Sequence, residues 1–368
     1  MGRSNYKRLG DYIQPVDIRN NELEVETLLG VSNAKVFMPS IANTIGTDMS
    51  NYKVITKGQF AYVTVTSRNG DKLSVALLQE DKAIVSQAYT VFEVVDQTQL
   101  LPDYLMMWFR RPEFDRYARF KSHGSAREVF DWEEMCEARL PIPDIEVQRK
   151  IVAQYETITR RIALNERICA NLEETAQALY NKMFVQDIDP DNLPDGWRMG
   201  TLGDIATFKY GKQTHRYDKS EKHLYPVFSG YAITGYSEHC NIFEPTIVII
   251  ARGNSGTGEI RMTPSQCFLS NLAISISVPK NIKDYLFHFL SNADTKSLRS
   301  GSAQAQITIG SLEQFEILLP PDKITLDFKK RVKPISEYKA VLLKENEILT
   351  NLMDLYINNL NTTLRNYE

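Results

Sequence analysis

The sequence predicts an α+β chain of two pseudo-repeated units. Each is a mixed α/β globular domain followed by a long helix, and the two helices pair as an antiparallel coiled coil. Three observations predict this. Short motifs recur in the same order about half the chain apart, β-rich runs broken by turn residues precede each long helix, and two long stretches space their apolar positions alternately by four and three.

The repeat sets the boundaries. Leu9-Gly10-Asp11 returns as Leu202-Gly203-Asp204, Asp103-Tyr104-Leu105 as Asp284-Tyr285-Leu286, Gly124-Ser125-Ala126 as Gly301-Ser302-Ala303, and Leu140-Pro141 as Leu319-Pro320. Each short match alone is weak, but together they keep one order and similar offsets. The chain then divides into a first domain (1–143), a first long helix (144–185), a linker (186–197), a second domain (198–320), and a second long helix with a C-terminal tail (321–368). Its 368 residues suit two ordinary domains better than one core.

Within the domains, 60–66 (FAYVTVT), 90–95 and 246–251 (TIVIIA) are rich in β-branched and aromatic residues and bounded by Gly, Asn and Ser, which predicts strands. Short helices are expected at 102–111 and 281–290. The first long helix carries the seam Ile151, Tyr155, Ile158, Ile162, Asn165, Cys169, Leu172, Ala176, Leu179, Met183. Taken over 148–184 it is about 55 Å long at 1.5 Å per residue. The second is expected from near Leu326 to about Leu360, with the seam Leu342, Asn346, Leu349, Met353, Tyr356, Leu360, and Lys339 breaking the period. One amide in each seam, Asn165 and Asn346, would fix register between paired helices. An antiparallel pair would throw the two globular parts to opposite ends; the alternative is that each helix packs only on its own domain. The linker 186–197 (QDIDPDNLPDGW), with two prolines, four aspartates and a glycine, cannot continue a helix.

Composition narrows the class. Lys plus Arg is 43 against 46 Asp plus Glu, a net charge of −3, which excludes a uniformly basic nucleic-acid coat but leaves room for local basic faces. Cys136, Cys169, Cys240 and Cys267 form no CxxC pair, as expected in a reducing compartment without a zinc site. No apolar run approaches a membrane span and the N-terminus does not resemble a signal peptide, so a soluble, cytoplasmic protein is expected.

Catalytic signatures are mostly missing. There is no GxxxxGK[ST] loop, no GxSxG elbow, and no metal-ligand spacing among His123, His215, His223, His239 and His288. The glycine-rich 252–258 (RGNSGTG) follows a strand and reads as a tight connection. Pro321-Asp322 with Asp327-Phe328-Lys329 matches the pattern of metal-dependent nucleases, but those acids fall at the start of a helix, where they cap it and offset its dipole. The chain is expected to catalyse nothing and to bind no metal or cofactor.

Basic clusters are more informative. Arg110, Arg111, Arg116, Arg119, Lys121 and Arg127 stand against Glu113 and Asp115, and the segment ends in the polar, glycine-broken 122–127 (SHGSAR). Its counterpart is 296–306 (KSLRSGSAQAQ). Ser67-Arg68-Asn69-Gly70 likewise corresponds to Ala251-Arg252-Gly253-Asn254. Arg reads guanine edges and Asn or Gln adenine edges bidentately. Any one cluster is most simply a solvated face, but recurrence at matched places points to a DNA surface containing Arg68, Asn69, Arg127, Arg252, Asn254, Arg299 and Gln304.

At these residues the chain resembles the specificity (S) subunit of type I restriction-modification systems. The run 140–152 (LPIPDIEVQRKIV) is similar to that family's passage from a target-recognition domain into its spacer helix. Leu193-Pro194-Asp195-Gly196-Trp197 with Leu202-Gly203-Asp204-Ile205 resembles its entry into the second recognition domain, and 57–94 resembles the strand-rich body of one recognition-domain class. The second copy departs from the pattern: Leu319-Pro320-Pro321-Asp322 leads to Phe328-Lys329-Lys330 without the glutamine of the first helix start. The resemblance covers essentially the whole chain. It implies a non-catalytic host-defence subunit whose two domains read an asymmetric, interrupted target in double-stranded DNA, with the helices as a ruler. It also implies two modification (methyltransferase) subunits that carry S-adenosylmethionine and flip adenines, restriction/translocase subunits that use ATP and Mg2+, and no membrane partner. Two other readings are a coiled-coil adaptor that binds only proteins, and the specificity half of a stand-alone adenine methyltransferase or methyltransferase-nuclease. An enzyme of the latter kind would need an Asn-Pro-Pro-Tyr/Phe motif, which the sequence lacks.

Overall fold

The structure, a computed structural model, describes residues 6–40, 46–66, 72–123, 128–216, 224–253, 256–300 and 306–365. The chain forms two compact units, one from Met1–Asn165 with Lys344–Glu368 and one from Glu166–Leu343. Each therefore holds one globular domain and part of both long helices.

Unit 1 carries two four-stranded sheets. The first is ordered Ile13–Val16, Tyr89–Val94, Phe60–Val63, Val75–Leu77, all antiparallel. The second is ordered Phe37–Pro39, Leu28–Val31, Lys82–Val85, Lys53–Thr56, with the middle pair parallel. Phe60–Val63 is apolar throughout because both its faces are covered. Phe60 and Tyr62 enter an aromatic core with Phe92, Phe109 and Phe130, while Ala61 enters a smaller one with Ile55, Val85 and Val91. The Phe60 and Phe92 rings stack with centroids 4.8 Å apart, and Phe109 meets Phe60 edge-on at 5.7 Å. Helices Pro102–Phe109 and Pro112–Lys121 each start with proline, whose missing N–H is harmless in a first turn.

Unit 2 repeats the two-sided logic. Its four-stranded antiparallel sheet is ordered Thr207–Tyr210, Ala273–Ser277, Ile247–Ile250, Ile260–Met262, beside a three-stranded sheet ordered Ile233–Ser237, Tyr225–Phe228, Phe268–Leu269. Ile247 and Ile249 pack with Tyr285, Leu286 and Leu290 of helix Lys283–Asn292, whereas Val248 packs with Phe228 and Leu269 on the other face.

The recurring motifs mark where each domain closes ahead of its helix. Tyr6–Arg8 pairs antiparallel with Arg139–Pro141, and Arg198–Thr201 with Glu316–Leu319. Leu9 and Leu202 are both fully buried and donate their backbone N–H groups to Ala138 O (2.8 Å) and Phe315 O (2.9 Å). The tyrosines of the repeated Asp-Tyr-Leu, Tyr104 and Tyr285, donate their hydroxyls to the carbonyls of Pro141 and Leu318 in those ribbons.

The long helices are Ile145–Phe184 and Asp322–Asn358, the latter followed by Leu360–Arg365. The second thus begins ahead of Leu326. In unit 1, the Tyr356 hydroxyl donates to Gln154 Oε1 (2.7 Å) and Arg161 pairs with Glu345 (2.9 Å). Numbers rise on one helix as they fall on the other, so the pair is antiparallel. Unit 2 gives the same sense, with Tyr180 beside Phe328 (6.3 Å between centroids) and Glu173 paired with Lys339. Asn165 is fully buried, and its Nδ2 donates to Asn346 Oδ1 (2.8 Å) and Glu345 Oε2 (3.0 Å). Asn346 Nδ2 donates to Ile162 O (3.4 Å). Ile158, Ile162, Leu172, Leu179, Leu349 and Met353 are half-buried and Leu342 is buried. Lys339, which breaks the apolar period, occupies a half-buried seam position and is neutralised by Glu173.

The helices also pack on the domain cores, through Ile151, Tyr155, Ile357 and Leu360 in unit 1 and Ala176, Tyr180, Phe184, Phe328 and Val332 in unit 2. At the first helix start Gln148 is fully buried. It accepts from Leu101 N (2.9 Å) and donates to Gln99 O (2.7 Å) and Pro143 O (2.8 Å). The second copy has Thr325 at the matching place, whose hydroxyl donates within its own turn to Asp322 O (3.0 Å), and Asn281 Nδ2 anchors Asp322 (2.8 Å). Among the described residues no helix is long and apolar enough to cross a membrane.

His288 lies half-buried against the Tyr180 ring (5.9 Å), and burial, with a smaller contribution from Lys339, pushes its pKa from 6.5 down to about 4. Unfolding releases it to its ordinary value, so between pH 6.5 and 4 the unfolded state binds more protons and stability falls as pH falls. A loss of about 1–3 kcal/mol across that window is expected in urea melts at stepped pH, and His288→Gln should flatten the slope.

Candidate nucleic-acid interface

Of the seven expected DNA-surface residues, Arg68, Asn69, Arg127, Asn254 and Gln304 lie outside the described residues. The other two, Arg252 and Arg299, are exposed and meet at one loop of unit 2, just after strand Ile247–Ile250. Their surroundings differ. The Arg252 guanidinium lies over the Tyr210 ring at 5.8 Å, and among the described residues it has no carboxylate partner. Arg299, just past the short helix Thr295–Leu298, donates from Nε to Thr257 O (2.8 Å) and again from Nη2. Arg252 is thus available to a ligand, while Arg299 is engaged in holding the loop.

The basic cluster of unit 1 is less open than its composition suggests. Arg111 is only 4% exposed and lies over the Trp108 ring at 4.3 Å, a cation–π contact inside the domain. Arg110 donates to the Tyr155 hydroxyl and covers its ring. Arg119 pairs with Glu128 (3.0 Å) and Lys121 with Glu134 (3.0 Å). Of the cluster's described members Arg116 is the most open, with a 3.3 Å contact to Glu113. Together with Lys72, Arg110 and Arg119 it lines a groove of about 1030 Å³ whose apolar wall includes Tyr155 and Met353.

The nuclease-like pattern does not assemble. Asp327 pairs with Arg331 one turn along (3.0 Å), Lys329 donates to Lys280 O (2.8 Å), and Asp322 accepts from Asn281. Among the described residues no three His, Cys, Asp or Glu side chains gather to hold a metal.

Sequence reasoning missed three features. Tyr210, under Arg252, and Tyr231, against the same loop, look like ordinary strand and turn residues in a linear reading. Lys35 and Asp115 form a buried ion pair (2.6 Å) between segments 80 residues apart, for which no local signal exists.

A family model described as type I restriction modification DNA specificity domain matches this chain twice, at residues 18–174 and 194–351. The type I restriction enzyme HindI specificity subunit of Haemophilus influenzae is 22% identical over 423 residues, covering 89% of this chain and 91% of that protein. The EcoprrI specificity subunit of Escherichia coli is 25% identical over 156 residues, which is 41% of this chain and 36% of the relative. In fold, the crystal structure of the type I restriction-modification S subunit from M. genitalium is similar with a TM-score of 0.58 at 15% identity, covering 98% of this chain and 97% of that one. With two matches that together take up most of its length, on two domains that repeat the same closing ribbon, the chain belongs to the family of type I restriction-modification DNA specificity proteins.

Proposed function

We propose that this chain is the non-catalytic specificity subunit of a type I restriction-modification complex, reading an asymmetric, two-part DNA target with one half-site per domain. The observation that supports this best is the internal repeat. Two domains close with the same ribbon and the same tyrosine anchor, yet carry unlike loops, so two related but different half-sites are the natural ligand. Arg252, lying over the Tyr210 ring and without a carboxylate partner among the described residues, is the described side chain of the expected DNA-surface set best placed to reach a base or phosphate. Replacing it with Ala in the assembled complex is expected to relax one base position by about 1–3 kcal/mol if it reads a base, or to weaken binding evenly if it holds phosphate. Unaltered affinity and specificity would remove Arg252 from the DNA surface.

The helix pair fits a scaffold for two modification subunits. Beside its seam the part of the second helix in unit 1 carries another apolar stripe, Ile348, Leu352 and Leu355, each 48–60% exposed. Exposed apolar residues at such regular spacing mark a docking face for other helices. Ile348→Glu with Leu352→Glu is expected to cost at least about 2 kcal/mol of modification-subunit binding, roughly thirtyfold, while the chain's own melting temperature stays near native. Co-purification at native yield would refute that face. S-adenosylmethionine, ATP and Mg2+ would then sit on partner subunits, and the low net charge suits a subunit that meets DNA within an assembly.

A further inference from the structure

The loop that carries Arg252 is held from one side by a single ring. Tyr231 sits in the hairpin turn between Tyr225–Phe228 and Ile233–Ser237, and the turn is itself pinned. Ser229 N donates to Ala232 O (3.0 Å), and Ser229 Oγ accepts from the N–H groups of Tyr231 (3.2 Å) and Ala232 (3.1 Å). From there the Tyr231 ring covers two glycines of the Arg252 loop. A Cβ at Gly253 would stand 2.6 Å from its hydroxyl, and one at Gly256 would stand 2.5 Å from its ring carbon Cε1. A side chain at either place would displace the ring. From the other side Arg299 holds Thr257 O, Thr257 Oγ1 donates to Gly253 O (3.0 Å), and the Thr295 hydroxyl donates to Gly258 O.

A glycine-rich loop samples many conformations, and a guanidinium discriminates between bases only when its fork is held in place. These contacts supply that restraint although Tyr231 is itself 40% exposed. We propose that Tyr231 is a positioning residue for Arg252, and that its ring sets the stringency with which the second domain reads its half-site. This rests on the reading that the chain directs recognition of a two-part target, and it adds a residue to which nothing in the sequence assigns a role.

The test is adenine-methylation mapping in cells lacking other adenine methylation, with the native chain, Arg252→Ala, Tyr231→Ala, Tyr231→Phe or Arg299→Gln co-expressed with the modification subunit. Arg252→Ala identifies the half-site read by this loop. Tyr231→Ala is expected to raise methylation at single-mismatch sites in that half about tenfold relative to cognate sites, with the other half as stringent as before. Tyr231→Phe, which keeps the ring, should keep the native motif. Arg299→Gln, which frees the loop from its other side, should relax the same half and serves as the second variant if Tyr231→Ala fails to fold. An unchanged motif in Tyr231→Ala, or an even fall at all sites with no relaxed position, would overturn the proposal. A native chain that directs no two-part motif would instead overturn the reading on which it rests.

Discussion

Removing one heptad from both long helices, 166–172 and 336–342, is expected to shorten the gap between the two half-sites by about three base pairs. Seven helical residues span about 10 Å at 1.5 Å each, and duplex DNA rises about 3.4 Å per base pair. The deletion keeps the four-three spacing of both seams. It also leaves the Asn165–Asn346 amide pair in unit 1 and the Tyr180–Phe328 contact in unit 2 in place, while the Glu173–Lys339 ion pair is lost. Deleting the heptad from one helix only should destroy that register and abolish recognition. Adenine-methylation mapping with the shortened chain reads the gap, and an unaltered gap would show that the helices are not the ruler.

The second large effect is on stability. Lys35, in left-handed backbone at φ 61°, sends its ammonium into unit 1, where it donates to Phe109 O and to Asp115 Oδ1 (2.6 Å). Asp115 also accepts from Leu73 N (3.0 Å), so one carboxylate ties the 32–36 turn, helix Pro112–Lys121 and the segment leading into strand Val75–Leu77 together. Burial pulls the Lys35 pKa down against the opposing hold of Asp115. Asp115→Ala strands a buried ammonium and is expected to cost about 3–5 kcal/mol in urea denaturation. Lys35→Met combined with Asp115→Leu should recover most of that, because the desolvation of both charges disappears with the pair. A single variant as stable as the native chain would mean the pair is fully hydrated.

The parts of this fold that were legible in the sequence are those with a local periodicity. Alternating four-three steps exposed both helices, and the repeated Leu-Gly-Asp and Asp-Tyr-Leu exposed the two domains, because each motif makes the same contact in each copy. Lys339 was misleading for a physical reason: a seam tolerates a cation when the facing helix supplies a carboxylate, and one strand of sequence does not show the facing helix. The sheets were only partly legible: Phe60–Val63 and Ile247–Ile250 showed as β-rich runs, but strands covered on both faces lack the alternation that would show which face meets which core, and their pairing partners did not show. The candidate site was legible as charge, not as geometry. Arg111 counts as a cation in the sequence yet is stacked inside the domain on Trp108, and the sequence does not show that Arg299, expected on the DNA surface, grips Thr257 O. Tyr210 and Tyr231 became visible only once strands distant in sequence were paired.

The most direct measurement is a map of methylated adenines in cells co-expressing this chain with its modification subunit, beside cells lacking the chain. Recognition by two unlike domains predicts one interrupted, asymmetric two-part motif that vanishes when the chain is absent. A contiguous or symmetric motif, or methylation that persists without the chain, would contradict it.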